Sequence, residues 1–284
     1  MTMHLLDTRP ALRSTLIRKA FTYALKTPRA VARAEADDTA HIQCPPIVVN
    51  SIPKSGTHLL VQIARALPDA RYYGSFIAWA SSLDLKARDD ATVERLLSAL
   101  VPGEVAGAHL YARPQVRGAL AAKNAVHLFI IRDPIDIVKS EAYYLKKMNR
   151  FHRMAREVRH LNQSECMDII LNGSKQNPDI YPSFEQRLEP YLGWLTEDTV
   201  CVTRYERLRT SATAMTEARR IVDHWRSRAE ACNVSSEALA ERLIGAINPS
   251  RSHTASRRSN SGDLSIDKAL AQRLAPLRRR LGYI

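Results

Sequence analysis

Cysteine is scarce in this chain: Cys44, Cys166, Cys201 and Cys232 are the only four in 284 residues, widely spaced, with no CxxC pair and no Cys/His cluster. That pattern excludes a disulfide scaffold and the usual zinc-ligand spacings, so the expected state is reduced thiols and no bound metal. No apolar run approaches the roughly 20 residues of a membrane-spanning helix. The N-terminus lacks an apolar core followed by a small-residue cleavage site, so a cytoplasmic protein is expected. Aromatic residues make up 6% of the chain and no nucleic-acid-binding motif is present. Both facts argue against nucleic acid as the partner. There is no internal repeat and no low-complexity tract.

What the chain does have is positive charge. Lys and Arg total 42 against 29 acidic residues, giving +13 at neutral pH and a pI near 9.8. Such a balance favours anionic partners, among them nucleotides, acidic glycans and anionic lipid surfaces. Hydrophobic content of 45% and charged content of 25% are ordinary for a globular protein. Residues 1–40 differ from the rest and predict a basic amphipathic extension. Leu12, Leu16, Ile17, Phe21 and Leu25 share a helical stripe interleaved with Arg13, Arg18, Lys19 and Lys26. Two roles fit it: a peripheral helix packed on the main domain, or a basic face (residues 1–30) resting on an anionic membrane.

From residue 41 onward the pattern becomes that of an α/β domain, continuing to residue 284. Pro45 to Ile52 is a β-branched run that reads as a buried parallel strand. Pro53 to Gly56 then makes a turn, and Thr57 to Ala66 reads as a helix. Strands are also expected near Glu104–Leu110, over Ala125–Ile131 and over Thr199–Thr203. Helices are expected after Asp133-Pro134, which supply an N-cap and a first-turn proline. Further helices are expected within 161–197, with a break near Asn177-Pro178, and over Ser211–Ala231, Ser235–Ile244 and Ile266–Leu281. A loop is expected near 248–262. Strands alternating with helices predict a central parallel sheet covered on both faces.

The turn after the first strand has the makings of an anion site. A glycine permits close backbone approach, a lysine supplies a point charge, and hydroxyls and helix N-terminal N–H groups donate. Here these are Lys54, Ser55, Gly56 and Thr57, with His58 next in the helix. The order is not that of the Walker A loop, since Lys54 precedes Gly56 and no glycine lies five residues upstream of it. No apolar strand ends in an aspartate that could hold magnesium, which disfavours a conventional ATP or GTP hydrolase.

Pro53-Lys54-Ser55-Gly56-Thr57, followed by Leu60, resembles the 5′-phosphosulfate loop of the PAPS-dependent sulfotransferase family, P-K-S-G-T-x-x-L. Three more segments resemble that family in the same order. Arg132-Asp133-Pro134-Ile-Asp136-Ile-Val-Lys-Ser140 is similar to its 3′-phosphate segment. Tyr205-Glu206-Arg207-Leu208 is similar to its Y-E-x-L. Arg257-Arg258-Ser259-Asn260-Ser261-Gly262-Asp263-Leu264 resembles its R-K-G-x-x-G-D-W, with Ser259 in place of a glycine and Leu264 in place of a tryptophan. The resemblance covers about residues 45–284.

The resemblance implies a P-loop-like sulfotransferase fold and 3′-phosphoadenylyl sulfate (PAPS) as donor. Lys54, Ser55, Gly56 and Thr57 would meet its 5′ end, and His58, on the helix after the loop, would face its adenine side. Arg132, Ser140, Arg257, Arg258 and Ser259 would meet the 3′-phosphate, and Tyr205 would line the donor pocket. It further implies that Lys54 stabilises the transferring group and that a histidine at a strand end is the general base. Gly107-Ala108-His109-Leu110 occupies the corresponding place, which makes His109 the candidate base, with Glu104 and Glu141 as carboxylate alternatives. Two further positions depart from the family. Gly107 stands where a lysine is usual, and Leu59 where many members place a tryptophan against adenine. Residues 70–102 and 141–195, between the donor motifs, would line the cleft for a hydroxylated small molecule, a saccharide or a glycolipid acceptor. Two other functions fit parts of the pattern: a P-loop kinase-like phosphotransferase, and a noncatalytic basic protein that binds nucleic acid or acidic glycans.

Overall fold

The computed structural model describes residues 4–8, 15–37, 39–80, 85–148, 151–229, 233–248 and 264–284. Five strands form one fully parallel sheet: β1 Ile47–Ser51, β2 Phe76–Ala78, β3 Val105–His109, β4 Val126–Ile131 and β5 Val200–Arg204. Their order across the sheet is β2-β3-β1-β4-β5, with β1 at the centre. Ile47 lies opposite Val105 on one side and Val126 on the other, and Ile131 lies opposite Arg204. All strands run the same way, so Ser51, His109, Arg132 and Arg204 end at one edge. In open α/β sheets ligands bind in the crevice outside those carboxyl ends.

Both faces of the sheet are covered, as the continuous apolar strands predict. Val48, Ala106, Ala108, Phe129 and Ile131 point to one face and pack on Val93, Ile137, Ile170, Phe184, Trp194 and Leu277. Ile47, Val49, Val105, Leu128 and Ile130 point to the other and meet Leu60, Ile63, Ile221, Val222, Trp225 and Leu239. The fold is α/β with a central parallel sheet flanked by helices. The helix Pro134–Tyr143 begins as expected, the Asp133 side chain accepting the Ile135 N–H at 3.0 Å with Pro134 in the first turn.

Several elements differ from expectation. β2 and the helices Asp90–Ser98 and Pro114–Ala122 lie where no element was expected. The C-terminal helix is two pieces, Leu264–Arg273 and Ala275–Arg280, divided at Leu274 just before Pro276. A proline starts a new helix there because it cannot donate to the preceding turn. The segment 249–263, with Arg257, Arg258 and Ser259, lies outside the described residues, as does Cys232. No described helix is long and apolar enough to cross a membrane.

The N-terminal segment forms helices Thr15–Ala24 and Lys26–Ala34 and is fastened to the sheet layer. Arg65 donates to both oxygens of Asp7 at 2.9 and 2.7 Å, and His4 Nε2 lies 2.8 Å from the Tyr72 carbonyl. Arg29 Nε donates to Glu104 at 2.8 Å and its Nη2 to the Ala99 carbonyl at 2.7 Å. Glu104 is fully buried and also accepts from the Val101 N–H and the Ser75 hydroxyl. It therefore sits at the beginning of β3, at the opposite end of the strand from His109. That position sets Glu104 a strand length away from His109 and the Lys54 loop.

Two predictions follow from this packing. Arg29→Ala leaves a buried carboxylate short of its cation and should cost about 2 kcal/mol, read as a lowered urea midpoint with an unchanged m-value. His127 and His224 are held neutral, at about 3 and about 4, first by burial; next comes the repulsion that a charged His127 would meet from a charged His224 and from Arg228, and a charged His224 from Arg228. Unfolded histidine takes up its proton near pH 6.5, so the unfolded state binds more protons below that pH. Stability should be complete above about pH 6.5 and fall as pH drops toward 4. Urea midpoints measured across that range should decline less steeply in His127→Gln.

Candidate active site

The turn after β1 is built by two left-handed residues, Lys54 (φ 71°) and Gly56 (φ 109°). Only glycine fits the second. A Cβ on Gly56 would stand 2.5 Å from Cδ2 of Tyr205, and that close approach lets the Tyr205 ring lie against the loop. On the same ring, the Arg132 guanidinium stacks 4.5 Å from the centroid. Loop, β4 end and β5 end thus meet through one aromatic ring. Arg132 also donates to Asp136 at 3.1 Å, while its Nε is buried without a hydrogen-bond partner.

Within the loop, the Ser55 N–H donates to the Ile52 carbonyl at 3.1 Å. Its use in closing the turn removes one of the backbone donors expected to face an anion. In the first helical turn of Thr57–Ala64, the Leu59 and Leu60 N–H groups donate to the Gly56 carbonyl at 3.0 and 3.2 Å, which leaves the Thr57 N–H, at the helix start, as the backbone donor for the loop. The Ser55 Oγ is fully buried and has no partner. A buried hydroxyl without a partner is costly, and a phosphate oxygen in the loop would relieve it. Together with the unpartnered Arg132 Nε and the glycine cradle, this fits a phosphate-bearing donor.

Lys54 lies over an aromatic ring. Its Nζ lies 4.0 Å from the centroid of the Tyr144 ring, and burial lowers its pKa to about 8, with Glu141 opposing the shift and Arg132 adding to it. Tyr144 opens a wider π-turn, Tyr144–Met148, that continues the helix carrying Ser140. Such widenings recur at functional sites because they re-aim side chains. Ser140 is half-buried in the last turn of Pro134–Tyr143, and His58 is half-buried in the first turn after the loop. Leu59 is buried in the apolar layer behind the sheet.

His109 ends β3 beside the loop. Its Nδ1 lies 3.0 Å from the Ser51 carbonyl and 3.1 Å from the Ser51 Oγ, which is 2.6 Å from the Thr57 Oγ1. A carbonyl only accepts, so Nδ1 carries the proton and Nε2 is left as the acceptor nitrogen. Burial holds His109 neutral, at about 4; its bond to the Ser51 carbonyl opposes this and the Lys54 charge reinforces it. Phe76 meets its ring edge-on at 5.0 Å. A Cβ on Gly107 would stand 2.8 Å from Phe76, so the aromatic ring fills the space a longer residue at 107 would need.

Asn50 positions this strand end. Its side chain accepts the Leu110 N–H at 2.8 Å and donates to the Leu110 carbonyl at 3.1 Å, extending the β1–β3 ladder past His109. Glu141, the other carboxylate alternative, is already engaged. It accepts from the Tyr181 hydroxyl at 2.7 Å and from Arg187 at 2.6 Å. Glu206 accepts the Asp133 N–H and the Tyr283 hydroxyl, both at 2.9 Å, which makes it an organiser of the β4 and β5 ends. Sequence reasoning did not single out Asn50, Arg187 or Tyr283. Only the buried polar run Asn50-Ser51 at the end of an apolar strand offered a signal.

Gly56→Ala should destabilise the protein by about 2 kcal/mol, from the positive φ and the collision with Tyr205. Thermal unfolding checks the loss, and near-ultraviolet circular dichroism checks the displaced tyrosine.

No protein-family model matches this chain, and no curated protein matches it. Among solved structures, that of the mouse sulfotransferase SULT7A1 complexed with PAP is similar, with a TM-score of 0.52 and 16% sequence identity. The similarity covers 82% of this chain and 84% of that one. At that identity the likeness establishes architecture: the chain has the fold of a sulfotransferase.

Proposed function

We propose that this chain is a PAPS-dependent sulfotransferase acting on a hydroxyl group of a small molecule or saccharide. One observation carries the proposal: the loop of Lys54, the base candidate His109 and the Arg132–Tyr205 pair converge on one sheet edge, in a fold shared with a PAP-bound sulfotransferase. Residues 41–284 form the transferase domain in this proposal, with 1–40 as an extension clasped to it.

The donor's phosphosulfate end is held by the loop, through the Ser55 and Thr57 hydroxyls, the Thr57 N–H at the start of the following helix and Lys54. Its 3′-phosphate is held by Arg132 and Ser140, with Arg257, Arg258 and Ser259 assigned to the same group, and Tyr205 walls the pocket. His109 Nε2 accepts the acceptor's hydroxyl proton as the oxygen–sulfur bond forms. The bond from sulfur to the bridging oxygen breaks, and the leaving phosphate takes its electron pair. Lys54 stabilises that charge as it develops, which is where fixed positive groups contribute most. A base held neutral in advance accepts a proton without first losing one, and anion binding beside Lys54 offsets the cationic field that weakens His109.

PAP should raise the melting temperature more than ATP or AMP do, without magnesium. Lys54→Ala and Arg132→Ala should each weaken PAP binding about tenfold or more. His109→Ala should retain PAP binding and lose turnover by about 10²-fold or more, followed by mass spectrometry of hydroxylated acceptors incubated with PAPS. Magnesium-dependent stabilisation by ATP with no response to PAP would instead establish a kinase-like phosphotransferase. Full activity in His109→Ala would remove the histidine from the reaction.

A further inference from the structure

A cleft of about 460 Å³ opens beside β5, the edge strand farthest from β2, and no step above uses it. Five guanidiniums line it, those of Arg204, Arg207, Arg220, Arg279 and Arg280, against one lining carboxylate, Glu217. β5 is two strands from β1, or about 10 Å by ordinary strand spacing, so the cleft is separate from the Lys54 loop.

The internal partners of these arginines do not balance the charge. Glu217 is buried and accepts from the Thr203 hydroxyl at 2.7 Å, and it pairs with both Arg207 and Arg220 at 3.0 Å. One carboxylate is therefore shared between two cations. Arg204 donates to the Leu281 carbonyl at 3.0 Å and stacks on Tyr283, contacts that leave its charge uncompensated. Arg280 turns toward the exposed Glu189 and Glu185. Arg279 is exposed and forms no ion pair among the described residues.

A covered sheet edge would explain one of these contacts, since Arg220 donates to the Val202 carbonyl at 3.1 Å and so blocks strand pairing there. It does not explain why four other guanidiniums gather around the same space. Like charges drawn together in a concave site raise the local potential and concentrate anions. Guanidinium forks match tetrahedral oxyanions in geometry as well as sign. Gly282 contributes too, because a Cβ there would stand 2.7 Å from an Arg204 nitrogen.

We propose that this cleft is a second oxyanion site, which takes a phosphate or sulfate group, free or carried as an ester, outside the donor loop. The C-terminal segment that lines the cleft also braces the donor side: Arg278 pairs with Asp133 at 3.0 Å and Tyr283 bonds to Glu206. An anion bound at Arg279 and Arg204 therefore steadies the segment that holds the β4 and β5 ends.

The test is calorimetric titration of the full chain with inorganic phosphate, inorganic sulfate and glucose 6-sulfate, at fixed ionic strength. Saturable binding is expected, weakened about tenfold or more in Arg279→Gln and further in Arg207→Gln/Arg279→Gln, while Lys54→Ala leaves it unchanged. Tighter binding of the sugar ester than of the free ions identifies an ester as the ligand, and the reverse order identifies the free ion. Arg279 is exposed and forms no ion pair among the described residues, so its variant should keep the wild-type melting temperature and the wild-type response to PAP. No saturable binding, or binding lost in Lys54→Ala and kept in Arg279→Gln, would overturn the proposal. A wild-type chain that ignores PAP but binds these anions through Arg279 would sink the donor assignment and leave this one standing.

Discussion

The site depends on the hydrogen bonds made by Ser51 at the end of the central strand. Its hydroxyl joins Thr57, the first residue of the helix after the loop, to His109, the last residue of β3, and its carbonyl fixes the histidine tautomer. Ser51 is fully buried, so these bonds form in a medium of low dielectric where each is stronger and its loss is costlier than in water. Through this one residue the spacing between loop and His109 becomes a property of the sheet register. Asn50 completes it by locking Leu110 to β1, so that His109 cannot drift along its strand.

Much of this was legible in the residues. β1, β3, β4 and β5 are apolar and short, and each was expected within about two residues of where it lies, because a strand buried on both faces has little room for polar residues. The loop was legible for a different reason: Lys54 and Gly56 need left-handed backbone and close approach, and few residue types supply that. β2 was not legible. It has three residues, starts with the exposed Phe76, and is defined by pairing with β3 rather than by any pattern of its own. The helix Lys26–Ala34 was hidden by Pro28, which is tolerated only because it falls in the first turn. Contacts such as Lys54 on Tyr144 and Glu141 with Arg187 join positions 90 and 46 residues apart, respectively. No local periodicity encodes pairings of that range.

The two ends of the chain secure opposite edges of the sheet. At the edge where strands begin, Arg29 neutralises the buried Glu104; at the edge where they finish, Arg278 and Tyr283 hold Asp133 and Glu206. Both are charge-assisted contacts between a terminal segment and the body of the domain. Their consequences differ. The first supports stability alone, since Glu104 is a strand length away from His109. The second grips Asp133 and Glu206, the residues next to Arg132 and Tyr205, so any loosening of the C-terminal segment reaches that pair.

The same distinction sorts the positive charge. A net +13 could have meant one basic face, yet the arginines divide by what they touch. Arg29, Arg65, Arg187 and Arg278 each meet a carboxylate and serve the fold. Arg132 meets a carboxylate with one nitrogen and keeps another buried without a partner beside the loop. Around β5 several guanidiniums share too few acids. Unbalanced charge is expensive to hold in a concave site unless an anion compensates it. Around the Lys54 loop and around β5, cations are therefore left under-paired among the described residues, and both places suit an anion.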